Sequence, residues 1–178
     1  PGSWRPLVSS SGTTWAGVVG VVDDQLVAAF TPDDASTMVL RAFTVGSWHA
    51  TWSTPAVPAG PLVSPGSSPP LTVSPDGTWG VYGSTVVDLV SGGTHALPPD
   101  WTTTAVGQAL AFGVSSGRVL AVSKAGAVAA ATDGAPAVAA GQPVGPVGVT
   151  DSGSAVIVAS DGGRRGVYVV AQLAEGSR

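Results

Sequence analysis

Apolar positions in this chain come in short Val-rich runs, and each run ends at a cluster of Gly, Pro, Ser, Thr or Asp. Runs of this length without helical spacing predict strands, several of them buried on both faces. Four segments share one pattern of strand, polar turn and strand. They are Val18–Ala29 around Asp23-Asp24, Leu71–Tyr82 around Ser74-Pro75-Asp76-Gly77, Leu110–Val122 around Ser115-Ser116-Gly117, and Val147–Val158 around Asp151-Ser152-Gly153. The turn chemistry suits hairpins, because Gly tolerates positive φ and Asp or Ser bonds its own backbone.

Each hairpin is followed by further strand candidates. Met38–Val45 and Trp48–Ser53 follow the first, Ser84–Val90 and Thr94–Leu97 the second, Ala127–Ala131 and Ala135–Ala139 the third, and Gly166–Gln172 the fourth. The turn glycines Gly77, Gly117 and Gly153 stand 40 and 36 residues apart. Units of about four strands repeating roughly every 40 residues are what a β-propeller requires. The reading is one all-β domain over 1–178, with repeats at about 11–55, 70–101, 105–141 and 145–178 and a Pro-rich loop at 55–70. It is a small β-propeller of about four four-stranded blades, or a segment of a larger one. The alternative is a β-sandwich, whose strand cues are similar.

The last unit lacks a fourth strand, and the N-terminus offers one. Ser3-Trp4-Arg5-Pro6-Leu7-Val8 is similar to Ser47-Trp48-His49-Ala50-Thr51-Trp52. Residues 3–8 are therefore a candidate ring-closing strand, and closure would remove an exposed edge. Further sequence or another chain could complete the propeller in the same way.

Ser74-Pro75-Asp76-Gly77, followed by Val87-Asp88-Leu89 and Gly92-Gly93, resembles blades of the WD-type and TolB-like propellers. Ser74-Pro75-Asp76-Gly77-Thr78-Trp79 also has a weaker similarity to the Asp-box of sialidases, where the box is a structural turn. These resemblances imply a ring scaffold used for binding, and they name no ligand.

Composition narrows the function classes. Only 10% of residues are charged, against roughly 25% in typical domains, and the net charge is −4. A nucleic-acid binder needs a basic stripe, so that partner is excluded. The absence of Cys excludes disulfides, thiolate metal sites and Cys nucleophiles. No apolar stretch is long enough for a membrane span. Pro1 opens the chain without a basic–apolar signal pattern, which points to a processed product or a piece of a longer chain. Few charges and abundant Ser and Thr suit an exported, extracellular or cell-envelope protein. One Ile against 29 Val, and one Lys against six Arg, fit a GC-rich bacterial coding sequence.

The candidate chemistry is sparse, and no catalytic, metal-binding or cofactor-binding residue is expected. His49 and His95 fall at similar places in two repeats and read as exposed outer-strand residues. Asp23-Asp24 and Asp33-Asp34 read as tight turns at the two ends of one strand. A sialidase would need a Tyr/Glu pair, and the only Glu is Glu175. Trp48 and Trp52, four apart on one expected strand, should share a face. With His49 they form the best candidate patch for a protein partner or a glycan. Arg164 and Arg165, in an expected turn, are candidates for an anionic group. The expected function is a non-catalytic binding or scaffolding module, with ligand at the loops or ring face. A carbohydrate-binding, lectin-like or glycosidase-associated domain is the alternative.

Overall fold

The computed structural model describes residues 15–31, 36–62, 69–116, 118–132, 148–149, 155–161 and 164–170. Every regular element among them is a strand, so the chain is all-β. The candidate ring-closing strand at 3–8, the Asp33-Asp34 pair and Glu175 lie outside the described residues. No helix among the described residues is long and apolar enough to cross a membrane.

The strands form four antiparallel sheets, each a meander of consecutive strands. The first holds β1 (Trp15–Val22), β2 (Gln25–Thr31), β3 (Thr37–Thr44) and β4 (Ala50–Ser53), with β5 (Val57–Pro58) continuing the outer edge along β3. The second holds β6 (Leu71–Val73), β7 (Trp79–Tyr82), β8 (Thr85–Asp88) and β9 (Thr94–Ala96). The third holds β10 (Thr102–Val106), β11 (Leu110–Ser115), β12 (Arg118–Ser123) and β13 (Val128–Thr132). The fourth holds β14 (Gly148–Val149), β15 (Ala155–Asp161) and β16 (Arg164–Val170). None of these sheets closes on itself. The opening strands neighbour one another: β6 lies beside β1 and β10, and β10 beside β14.

One difference from the sequence reading concerns the third sheet. Its opening strand is Thr102–Val106, paired to β11 with a bulge between Thr103 and Ala105. The 110–122 hairpin is therefore made by the second and third strands of its sheet, whereas the Val18–Ala29 and Leu71–Tyr82 hairpins are made by the first and second.

Residue alternation on the middle strands explains their unbroken apolar runs. Val27 and Ala29 of β2 enter a core shared with Leu71, Tyr82, Val87 and Leu89 of the second sheet. Ala28 and Phe30, one residue out of step, bury on the other face with Phe43. Phe30 and Phe43 meet edge to face at 6.1 Å, and the Arg41 guanidinium sits 5.4 Å over the Phe30 ring. β7 divides in the same way: Tyr82 serves the first core, while Trp79 and Val81 pack with Trp101, Ala111, Leu120 and Val122 of the third sheet. A strand that feeds two cores needs apolar side chains at successive positions, because its Cβ atoms alternate between faces. The second sheet is thus stacked between the first and the third.

Polar atoms inside the stack are mostly matched. The Trp79 indole N–H donates to the Gln108 carbonyl at 2.9 Å, tying the second sheet to the third. Tyr82 Oη lies 2.9 Å from the Pro61 carbonyl, to which it donates, and 2.8 Å from Met38 Sδ. Burial pushes the Tyr82 phenol up to about 12. Among the described residues Trp52 is the exception, since its buried indole N–H has no acceptor there.

Candidate functional site

The antiparallel meanders bring their first and third turns to one end of the stack. In the first sheet, the Val45 N–H donates to the Asp24 carbonyl at 2.7 Å, joining the β3–β4 turn to the β1–β2 turn. In the second, the Leu89 N–H donates to the Thr78 carbonyl at 2.9 Å, making the same join. Contacts between sheets show that these ends coincide. A Cβ added to Gly77 would lie 3.2 Å from Asp23 Oδ2, and Lys124 Nζ of the third sheet lies 3.4 Å from Asp88 Oδ2 of the second.

Two carboxylates of this region, Asp76 and Asp88, are committed to holding turns. Asp76 accepts from the Ser74 hydroxyl at 2.6 Å, from the Thr78 N–H at 3.2 Å and from the Thr78 hydroxyl at 3.1 Å. The Ser74 hydroxyl leads in holding this carboxyl below its ordinary value. Asp88 accepts from the Val90 and Ser91 N–H groups, both at 2.9 Å. Partial burial raises its carboxyl, but those bonds and the Lys124 ammonium outweigh it and the net direction is down. At the opposite end of the third sheet, Asp100 gathers the Ser115 hydroxyl at 2.6 Å, the Ser116 N–H at 2.6 Å and the Ser116 hydroxyl at 2.9 Å. The Ser115 bond leads in lowering the Asp100 carboxyl. These acids are turn clamps. Among the described residues, no group of three His, Cys, Asp or Glu side chains stands together to hold a metal ion.

The β3–β4 turn is built differently. Its Trp48 N–H donates to the Thr44 carbonyl at 2.8 Å, and the Thr44 N–H donates to the His49 carbonyl at 3.1 Å. The turn puts Gly46 at φ 99° and Trp48 at φ 59°. For a residue as bulky as Trp, that left-handed conformation is an outlier. The indole stays 46% exposed, beside Val45 at 50%. Asp23 and Asp24, in the adjoining turn, are exposed and have no ion pair or side-chain hydrogen bond among the described residues. Val90, 72% exposed, occupies the corresponding turn of the second sheet.

The expected Trp48–His49–Trp52 patch is therefore only partly assembled. Trp48 and His49 precede β4 and are exposed, whereas Trp52 lies within β4 and is 6% exposed in the core between the first two sheets. The positive φ at Trp48 breaks the strand alternation that would have set the two rings on one face. Trp52 instead packs by Gly92, where a Cβ would lie 2.8 Å from the Ser53 carbonyl and 3.2 Å from the Trp52 ring. Arg164 and Arg165 open β16, opposite Asp161 and Ser160, rather than forming a turn. His95 lies exposed on β9, on a different sheet from His49. The exposed Val45, Val90 and Asp23-Asp24 lie in turns at the same end as Trp48, and nothing in the sequence singles out either valine. An isolated Val beside a turn Gly gives no sequence signal, since only the tertiary stacking brings these turns to one end. Comparison with protein-family models, with curated proteins and with solved structures returned no match.

Proposed function

We propose that the chain is a propeller-type, non-catalytic binding module that engages its partner through the turns at one end of the stack. The four meanders are read as blades, with β1, β6, β10 and β14 as their inner strands. The support is the order of contacts between opening strands and the alternate feeding of two cores by β7. The ring then acts as a rigid frame that presents loops. An exported or surface-attached bacterial origin belongs to the same reading and rests on composition alone.

The observation that carries the binding role is Trp48. Its ring is half exposed, so it contributes little to the core, and its backbone is held where only Gly is comfortable. Strain of this kind costs on the order of 1 kcal/mol, and folding gains nothing visible in return. An exposed indole fixed by a hydrogen-bonded turn is an apolar platform suited to a partner side chain or a sugar ring.

The test pairs stability with capture. Trp48→Gly should leave the thermal midpoint unchanged or raised, because Gly accepts φ 59° freely. The same variant should lose binding in a screen of immobilised peptides and glycans that the native protein passes. A native protein that binds nothing in the screen, or a variant that unfolds early, would contradict the role.

A further inference from the structure

We infer that the Trp48 platform takes a basic segment of a partner protein, with an Arg or Lys side chain held between the indole and the Asp23-Asp24 turn. This rests on the binding role proposed above and names the chemistry of the partner. The ring face supplies a cation–π surface, for which Trp is the best side chain. The second component is charge. The Val45 N–H to Asp24 carbonyl bond fixes the acidic turn directly beside the Trp48 turn. Both carboxylates are exposed, and neither meets a cation among the described residues. Asp88, by contrast, has Lys124, and Asp76 is spent on Ser74 and Thr78.

The choice of a cation over a neutral ligand follows from this imbalance. Two carboxylates on the turn adjoining that of Trp48, with no cation partner among the described residues, disfavour anions and offer a guanidinium hydrogen-bond acceptors near a stacking surface. Val45 adds an apolar rim against which the methylene stem of Arg or Lys can lie. The net charge of −4 favours approach of a basic partner over long range.

The experiment titrates the intact chain with a fluorescein-labelled peptide of alternating Arg and Gly. A matched peptide with Gln in place of Arg and a neutral chito-oligosaccharide are titrated alongside. Amide shifts at 23–24 and 45–49 report the location. The Arg peptide is expected to bind there and to weaken as salt rises. Trp48→Ala should weaken it about five-fold, the size of an exposed cation–π contact. Trp48→Tyr should restore most of the loss, which separates a ring-face role from a structural one. Joint Asp23→Asn and Asp24→Asn should weaken binding and flatten its salt dependence.

Equal binding of the Gln peptide would overturn the cationic specificity while leaving a Trp48 binding surface. Binding of the oligosaccharide alone would likewise overturn the inference and favour the carbohydrate reading. No binding of the Arg peptide, or binding whose shifts fall away from both turns, would overturn it outright.

Discussion

At the residue scale, the same side-chain types serve opposite ends depending on what they touch. Asp100 is fastened by three donors, and Asp23 and Asp24 by none among the described residues. A carboxyl whose folded value lies below its ordinary 3.8 contributes stability above that value. The contribution is lost as pH falls through the lowered folded value. Asp76 and Asp88 shift in the same direction, so the thermal midpoint should be level near neutrality and fall below about pH 4. Asp100→Asn should melt earlier than the native chain at pH 7 and lose less on going to pH 3. An unchanged acid slope in that variant would show that Asp100 does not act as a clamp. The buried tryptophans give a second comparison. Trp79 has an acceptor for its N–H and Trp52 has none among the described residues. Both lose ring area in a Phe replacement, but only Trp79→Phe removes a hydrogen bond, the one that ties the second sheet to the Gln108 carbonyl of the third. Trp79→Phe should therefore cost about 1 kcal/mol more than Trp52→Phe in denaturant titrations. Equal costs would mean that the Gln108 bond carries no net stability.

At the element scale, the strands that read most clearly from the sequence are those that feed two cores. Gln25–Thr31 could be recognised because every inward turn of its pleat meets apolar surface, on one side Leu71 and Tyr82, on the other Phe43. The Asp23-Asp24 hairpin was equally legible, because two polar residues between Val runs leave little else for the chain to do. Thr102–Val106 was not. Three threonines hide its alternation, and it lies against other sheets as well as its own hairpin. The Trp48 turn was misread as strand because spacing alone carries no information about φ. The Asp100 clamp spans 15 and 16 residues and leaves no local pattern. Close packing between elements also sets small-residue positions that hydropathy cannot reveal. Gly113 on β11 lies under Trp101, and a Cβ there would run into the ring and lie 2.6 Å from the Thr102 carbonyl. Gly113→Ala should destabilise the third sheet by about 1–3 kcal/mol, the usual cost of overpacking. A neutral result would show that Trp101 can move aside freely.

At the scale of the whole molecule, the stacking order decides what the chain can present. Three sheets share two cores through the second, and the fourth meets the third at β14. Such an arrangement places the turns carrying Trp48, Val90 and Lys124 at a common end, away from the surfaces used for packing. Binding at that end would leave the cores undisturbed, which is why Trp48 variants should separate affinity from stability. A ring and an open row of stacked sheets place these turns differently, yet both satisfy the neighbour contacts among the first three sheets. They differ in shape and in what remains at the edges. An open row leaves terminal faces and strands that favour association.

Small-angle scattering of the intact chain, recorded with its mass by light scattering, separates the two arrangements most directly. A closed, propeller-type monomer should show the sequence mass of 17.4 kDa and a radius of gyration of about 16 Å, the value for a compact chain of this length. A clearly larger radius at monomer mass would mean an extended row of sheets, and a dimer or higher species would mean a ring completed by a second chain. Either result would contradict the reading of this chain as a self-contained propeller.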